Sequence, residues 1–199
     1  MDGLSIRRRI ALDIARSMRK SQEEEHPLRQ LFWECTLRCN LRCQHCGSDC
    51  KQVAATPDMP KEDFFKVLDS IAAKTDPHKV FVIISGGEPT MRADLEECGK
   101  GIYSRGFPWG MVTNGFGMTA ERFSRPLAAG LHSMTVSLDG LEENHDWLRG
   151  REGSFTRAAE TIRMAVRSGI AFDVVTCVNR RNYSQLPQLK EFLIGLGLK

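Results

Sequence analysis

Residues 80–89 read Val-Phe-Val-Ile-Ile-Ser-Gly-Gly-Glu-Pro, and this stretch decides the fold class. Its apolar first half is rich in β-branched residues, which is typical of a strand buried on both faces of a parallel sheet. The run ends in a Gly-Gly pair, which lets the backbone approach a ligand closely. The stretch therefore predicts a buried parallel strand that leads into a turn, and the glycine pair taken alone indicates no more than a simple turn.

The same alternation of an apolar run with a helical stripe recurs along the chain. The other strand-type runs begin at Leu31, Met111, Ser133 and Phe172. The stripes comprise Phe64, Leu68 and Ile71; Leu95, Cys98 and Ile102; Phe123 and Leu127; Phe155, Ala158, Ala159, Ile162 and Val166; and Leu186, Leu189, Leu193 and Leu196. A strand followed by a helix, five times over, predicts an α/β domain with a parallel sheet built from βα units. Thr119 is positioned to cap the third of these helices.

Each predicted strand runs into a polar or glycine-rich segment. These segments are residues 35–50, 85–89, 113–115, 137–140 and 178–182. Ligands bind at the carboxyl ends of the strands in parallel α/β folds. We therefore expect one ligand site on this edge of the sheet.

Five of the seven cysteines lie within residues 35–50. Cys39, Cys43 and Cys46 offer three thiolates on one short loop, and complete ligation of an iron–sulfur cluster takes four. One iron would then be open to a ligand from outside the protein. A structural zinc site usually takes four ligands as two close pairs, and here only Cys43 and Cys46 form such a pair. The spacing favours an iron–sulfur cluster and leaves zinc as the alternative.

Composition and charge exclude several classes of protein. With 199 residues, 41% of them hydrophobic, the chain is long enough to bury a core. No apolar run reaches the roughly 18 residues of a membrane span, and no signal-peptide pattern is present, so we expect a cytoplasmic protein. Residues 1–20 carry a net charge of +4 and the remainder −1, which argues against a nucleic-acid partner.

The basic N-terminal region has its own periodicity. Ile6, Ile10, Ile14 and Met18 recur every four residues, which predicts one apolar stripe on a helix whose opposite face is basic. We divide the chain into this helix with its linker, residues 1–26, and a core domain, residues 27–199. We expect the helix to dock on the core domain, with a role at a membrane surface or on an acidic partner as the alternative.

Two motifs resemble those of a known family. Residues 39–46, CNLRCQHC, resemble the CxxxCxxC signature of radical S-adenosylmethionine (SAM) enzymes, and residues 84–92, ISGGEPTMR, resemble that family's GGEP motif. The resemblance runs from about residue 31 to the C-terminus. It implies a partial barrel of six βα units, of which this chain has about five, so we expect a core truncated before the sixth strand.

Further motifs resemble one branch of that family. Residues 137–140 (SLDG), the His145 to Gly150 stretch and residues 153–155 look like the branch that modifies peptides. Members of this branch often carry a C-terminal SPASM or twitch domain with further iron–sulfur ligands. Acidic or basic catalytic residues cannot be assigned from these motifs, and the catalytic set stays unknown.

The family resemblance also implies cofactors and their ligands. Cys39, Cys43 and Cys46 would ligate three irons of a [4Fe–4S] cluster, and SAM would chelate the fourth. Reductive cleavage of SAM would then give a 5′-deoxyadenosyl radical that abstracts hydrogen from the substrate. A low-potential donor such as flavodoxin or ferredoxin would supply the electron, and an anaerobic setting follows from the same resemblance.

The same resemblance assigns eight residues to SAM binding. They are Gly86, Gly87, Glu88, Pro89, Asn114, Ser137, Arg149 and His45. The glycine pair permits close approach, and either Glu88 or a strand-end carbonyl can accept from the ammonium group. The planar guanidinium of Arg149 suits a carboxylate. Structural roles remain open for Asn114, Ser137 and Arg149, and Asp139 either faces the substrate or organises its turn.

The remaining cysteines and tryptophans are expected to be structural. Cys35 and Cys50 lie outside the motif's spacing and are predicted not to be ligands. Cys98 and Cys177 occupy apolar positions and are predicted to lie in the core. Trp33 and Trp109 are predicted to pack.

The leading functional hypothesis is a radical SAM enzyme that acts on a peptide or a protein side chain. A second hypothesis is a radical SAM enzyme for a small molecule or a cofactor precursor such as a tetrapyrrole. A third, from another class, is a non-catalytic zinc-binding module.

Overall fold

The computed structural model describes residues 5–48 and 50–198. Its sheet has five strands, Gln30–Glu34 (β1), Phe81–Ser85 (β2), Trp109–Thr113 (β3), Leu131–Ser137 (β4) and Ala171–Val175 (β5). The strands are in chain order, and every neighbouring pair is parallel. The predicted α/β class with five βα units is confirmed. Residues 1–4 and Lys199, which the proposed division into two regions includes, and Asp49 lie outside the described residues.

The helices alternate with these strands as predicted, with one addition. They are Ile6–Glu25 (α1), Lys61–Ala72 (α2), Leu95–Tyr103 (α3), Ala120–Ala128 (α4), Glu142–Arg149 (α5), Ser154–Ser168 (α6) and Leu186–Gly195 (α7). The side chain of Thr119 accepts a hydrogen bond from the backbone of Arg122, which confirms the predicted cap of α4.

The additional helix, α5, has little apolar periodicity because its sequence is Glu-Glu-Asn-His-Asp-Trp-Leu-Arg. The sequence nevertheless contains residues that favour the start and the end of a helix. Two acidic residues occupy its first turn, where they complement the helix dipole, and Gly150 ends it in the left-handed conformation. α5 matters for the site because it carries Arg149.

The core lies between the sheet and its flanking helices. Val82, Ile84, Trp109 and Val136 of the central strands are fully buried. The Trp109 indole nitrogen donates a hydrogen bond to the Ala129 carbonyl, so its polar atom is satisfied inside the core. Trp33 is 5% exposed and stacks on Phe64, so the packing role predicted for both tryptophans is confirmed.

The two cysteines expected in the core differ. Cys98 on α3 is fully buried, as predicted, but the prediction for Cys177 is wrong because that residue is exposed. β5 ends at Val175, two residues earlier, so Cys177 lies in the polar turn beyond the strand. The apolar run continues past the hydrogen-bonded part of the strand, and Val178 is likewise exposed.

The expectation that the N-terminal helix docks on the core domain is also wrong. Every α1 side chain that the structure describes is exposed, including Ile6, Ile10, Ile14 and Met18 of the apolar stripe. Periodicity reports that a helix has an apolar face, but it does not report what covers that face. Among the described helices, none is long and apolar enough to cross a bilayer.

Candidate functional site

A cavity of about 430 Å³ opens at the carboxyl ends of the strands. Its walls contain all three predicted cluster ligands and six of the eight residues predicted to bind SAM. The lining residues are Cys39, Leu41, Arg42, Cys43, His45, Cys46, Cys50, Lys51, Ser85, Gly86, Gly87, Val112, Thr113, Asn114, Ser137 and Arg149. The predicted ligand site therefore lies on the expected edge of the sheet.

The cysteine loop is held by backbone hydrogen bonds to Lys51, just beyond it in the chain, and to α5. The amide of Cys39 donates to the Lys51 carbonyl at 2.8 Å, and the amide of Gln44 donates to the Leu148 carbonyl of α5 at 2.8 Å. A Cβ on Gly150 would meet the Arg42 carbonyl oxygen at 2.4 Å, so glycine there lets α5 approach the loop. The loop conformation thus depends on α5 as well as on the contact between Cys39 and Lys51.

The three thiols differ in exposure and have polar neighbours. Cys39 is buried, Cys43 is half-buried and Cys46 is exposed. The Asn114 amide nitrogen lies 3.8 Å from the Cys39 sulfur, and the Arg149 Nη1 lies 3.8 Å from the Cys43 sulfur. Burial raises the pKa of both Cys39 and Cys43, and the positive charge of Arg149 opposes that rise at Cys43. Within residues 5–48 and 50–198, no three His, Cys, Asp or Glu side chains are grouped as ligands of a single metal ion.

The glycine pair after β2 interlocks with the start of the cysteine loop. Gly86 has a φ of 131°, and a Cβ there would be 2.3 Å from the Thr36 carbonyl oxygen. A Cβ on Gly87 would be 2.2 Å from the Arg38 carbonyl oxygen. The Gly87 amide donates to the Thr36 carbonyl at 2.7 Å. The pair therefore lines the cavity and also lets the two loops pack backbone to backbone.

Glu88 lies beneath the cavity and does not line it. It is 1% exposed, and one carboxylate oxygen accepts from the Thr90 amide and hydroxyl and from the Thr113 hydroxyl. The other oxygen accepts from the Asn114 amide at 2.8 Å. Burial raises the pKa of Glu88 against the opposing effect of these donors. A direct bond from this side chain to the SAM ammonium has no support here, and the alternative acceptors, the strand-end carbonyls, stay a prediction.

Of three other residues predicted to bind SAM, Asn114 and Ser137 line the cavity and Pro89 does not. The Asn114 side chain accepts from the Phe116 amide at 2.8 Å and donates to Asn40 at 2.9 Å, so it shapes its turn while it lines the cavity. Pro89 is buried and begins the short helical turn Pro89–Met91 outside the lining. Ser137 ends β4, is 8% exposed and lines the cavity.

Arg149 reaches the cavity from α5 while an internal carboxylate holds it. Its Nε donates to Asp139 at 2.6 Å, and the side chains of the pair are 11% and 1% exposed. Burial, the largest single influence, lowers the pKa of the guanidinium, but the charge and hydrogen bond of Asp139 together with those of Cys43 leave the pKa above its ordinary value. Arg149 therefore binds a carboxylate of the protein itself, that of Asp139, and its contact with the carboxylate of SAM stays a prediction.

Asp139 organises a network that the sequence motifs do not reveal. Its second carboxylate oxygen accepts from the Cys177 amide at 2.8 Å, and its carbonyl accepts from the Asn182 side chain. Its own amide donates to Nδ1 of His145 at 3.0 Å. Asp139 therefore has the turn-organising role. His145 is 1% exposed, and burial, reinforced by Arg149, lowers its pKa to about 4.

The three remaining residues considered above differ in location, since His45 and Cys50 line the cavity and Cys35 lies in the core. His45 is exposed on the cavity wall, and burial of part of its ring lowers its pKa. Cys50 lines the cavity although its spacing lies outside the motif. Cys35 is 1% exposed and lies in the hydrophobic core.

Comparison with known proteins identifies the family. The model of the radical SAM superfamily matches residues 33–193. The chain belongs to the radical SAM superfamily. Proteins of this superfamily use a [4Fe–4S] cluster together with SAM, and the resemblance drawn from residues 39–46 and 84–92 is confirmed.

The match with this chain covers only part of each relative's length. The Fe-coproporphyrin III synthase of Methanosarcina barkeri is 31% identical over 82% of this chain and 40% of the relative. The PqqA peptide cyclase of Methylocella silvestris is 28% identical over 85% of this chain and 45% of the relative. The chain thus spans less than half the length of these curated relatives.

Solved structures share the fold of this radical SAM domain. Streptococcus suis SuiB bound to S-adenosylmethionine superimposes with a TM-score of 0.72 at 18% identity, over 100% of this chain and 46% of SuiB. The enzyme anSMEcpe with bound AdoMet gives a TM-score of 0.69 at 19% identity, over 83% of this chain and 49% of that enzyme. At these identities the likeness is one of fold.

Proposed function

We propose that this chain is the cofactor-binding core of a radical SAM enzyme that abstracts hydrogen from a peptide or a protein side chain. The observation that carries the proposal is the single cavity where Cys39, Cys43 and Cys46 meet Gly86, Gly87, Asn114, Ser137 and Arg149. The core domain would comprise residues 27–199, in a cytoplasmic protein.

Cys39, Cys43 and Cys46 would hold the cluster, and the donor set of three thiols in the lining of one cavity fits it. When bound, the cluster supplies the electron that cleaves SAM, with a flavodoxin or ferredoxin as its reductant. The Asn114 amide and the Arg149 guanidinium lie beside two of the sulfurs. Hydrogen bonds of this kind orient cluster ligands and raise the reduction potential.

Other residues that line the same cavity would hold SAM. The backbone at Gly86 and Gly87 is accessible at the end of β2, and its carbonyls are the acceptors available to an ammonium group once Glu88 is occupied by its own donors. Arg149 keeps a positive charge at the cavity wall, which favours a carboxylate there. Ser137 and His45 complete the set that we assign to SAM.

The choice of a peptide substrate rests on the motifs of residues 137–155. Asp139, His145 and Arg149 from these motifs form the hydrogen-bonded network behind the cavity, so the residues that resemble the peptide-modifying branch are also those that shape the site. The PqqA peptide cyclase among the relatives supports the same class. A tetrapyrrole substrate is the second candidate, favoured by the relatives at 31% identity that are named as haem and coproporphyrin synthases.

Anaerobic reconstitution with iron and sulfide tests the cofactor assignment. The wild-type chain should take up a cluster and, once reduced with dithionite, cleave SAM to 5′-deoxyadenosine. Cys43→Ala should lose the cluster absorbance and all cleavage, because a three-thiol site cannot spare a ligand. Cys50→Ala, which also removes a thiol from the cavity wall, should keep both. Cleavage by Cys43→Ala, or a colourless wild type with stoichiometric zinc, would contradict the proposal.

A second arm of this experiment distinguishes the substrate classes. The reconstituted enzyme is incubated with SAM and either a deuterated peptide pool or iron coproporphyrin III, and the 5′-deoxyadenosine is examined by mass spectrometry. Deuterium in the product with the peptide pool supports a peptide substrate. Porphyrin-dependent cleavage without deuterium transfer from peptides would replace it with the tetrapyrrole candidate.

A further inference from the structure

Helix α1 is exposed along its whole described length. The helix comprises the 20 residues Ile6–Glu25 and so extends about 30 Å. Its apolar stripe consists of Ile6, Ile10, Ile14 and Met18, whose exposed fractions are 77%, 55%, 55% and 60%. Large apolar side chains in a contiguous exposed row mark an interaction surface.

The part of α1 that precedes its acidic last turn is strongly basic. Residues 5–21 contain six basic residues and a single acidic one, whereas the remainder of the protein is close to neutral. Arg8, Arg9, Arg16, Arg19 and Lys20 lie on the arc of the helix opposite the stripe. Arg7 lies within the apolar arc near the helix start, where a long stem can carry its charge to the edge of an apolar layer. The complementary partner is therefore anionic.

The geometry of the stripe favours a flat partner over a second helix. Each step of four residues advances about 40° around the helix, so the four side chains span a band of about 120°. A coiled-coil seam alternates steps of three and four to remain on one narrow line. Parallel pairing with a second copy would also bring two strongly basic segments together, at a cost in repulsion.

We propose that α1 lies on the surface of an anionic lipid bilayer, with its apolar band in the headgroup region and its basic residues at the phosphates. Both components of interfacial binding, apolar area and attraction to anionic lipid, are present on this one helix. The acidic residues 23–25 follow the basic segment and separate it from the neutral core domain. The association would be peripheral and would place the cavity near a membrane.

Flotation of the full chain with lipid vesicles tests this proposal. Vesicles of phosphatidylcholine with about one-third phosphatidylserine are compared with vesicles of phosphatidylcholine alone. We expect the chain to float with the anionic vesicles and not with the neutral ones, and to be released by high salt because exposed charges are screened.

Two variants separate the components of binding, and a third is the matched control. Ile10→Ser/Ile14→Ser removes half of the apolar stripe, and Arg8→Gln/Arg16→Gln/Arg19→Gln removes charge from the opposite arc. Each should weaken binding to the anionic vesicles by roughly tenfold to a hundredfold. Arg163→Gln/Arg167→Gln/Arg180→Gln removes the same charge from exposed positions on the core domain and should bind as the wild type does.

The possible outcomes are distinct. Salt-sensitive flotation that both α1 variants lose and the control keeps supports the proposal. It is overturned if the wild type does not float, or if the control loses binding as much as the α1 variants do. It is also overturned if the chain is a dimer in solution that Ile10→Ser/Ile14→Ser dissociates, because α1 would then bind a second copy.

Discussion

Two segments at the cavity edge each contain a buried carboxylate, but the carboxylates have different partners. We call the segment after β2, with Glu88, the β2 half, and the segment after β4, with Asp139, the β4 half. Glu88, after β2, accepts hydrogen bonds from uncharged amides and hydroxyls. Asp139, after β4, is paired with the guanidinium of Arg149 and with one amide. Both are 1% exposed. Neutral donors leave the pKa of Glu88 raised by burial, whereas Asp139 relies on one cation that also lies 3.8 Å from the Cys43 sulfur.

The largest effect should come from removing that cation. Arg149→Leu leaves Asp139 buried without its countercharge, and breaking a buried pair in this way costs about 3–5 kcal/mol of unfolding free energy. Urea denaturation of the anaerobically purified chain measures the loss. Arg157→Leu breaks the exposed pair with Glu160 instead and should cost less than about 1 kcal/mol.

A double variant sharpens this test. Asp139→Asn in the Arg149→Leu background removes the uncompensated charge and should recover part of the lost stability. If Arg149→Leu lowers the unfolding free energy as little as Arg157→Leu does, the β4 half does not depend on its ion pair. The proposed difference between Asp139 and Glu88 would then be wrong.

The next effect is a pH dependence specific to the β4 half. His145 has a pKa near 4 in the folded chain, below its ordinary value of 6.5. A base with a lowered folded-state pKa contributes stability that is present above 6.5 and is lost as the pH falls towards 4. The expected loss is roughly 3 kcal/mol, measured as the difference between the wild type and His145→Gln in urea denaturation at pH 7 and pH 4. A difference that does not change with pH would show that His145 is not buried in its neutral form.

Much of the fold and the location of the site could be predicted because they follow from local patterns. β-branched runs and helical stripes identify the βα units, and the three cysteines lie on one short loop. The direction of the Glu88 side chain could not be predicted, because it depends on Thr113 and Asn114 at the end of another strand. The predictions that α1 docks on the core domain and that Cys177 is buried were wrong for a related reason, because an apolar residue does not specify its tertiary neighbour.

The smallest of these effects should come from the β2 half. In Glu88→Gln, an amide NH₂ replaces one carboxylate oxygen and faces a donor, either the Asn114 amide or the Thr90 and Thr113 groups. The hydroxyls can rotate, but the backbone amide cannot, so one buried donor loses its acceptor. Such a group costs about 1–3 kcal/mol, again measured by urea denaturation at pH 7. Glu96→Gln, which breaks an exposed pair with Lys100, should cost much less.

The stability difference between the wild type and Glu88→Gln should change with pH in the opposite direction from that for His145→Gln. An acid whose folded-state pKa is raised contributes stability that is present below its unfolded pKa and is lost as the pH rises through the folded value. The stability difference between the wild type and Glu88→Gln should therefore widen as the pH falls from 7 to 4, while the difference for His145→Gln narrows. If both narrow together, Glu88 is held as an ionised group by its four hydrogen bonds, and neutral donors alone are enough to keep a carboxylate charged inside this protein.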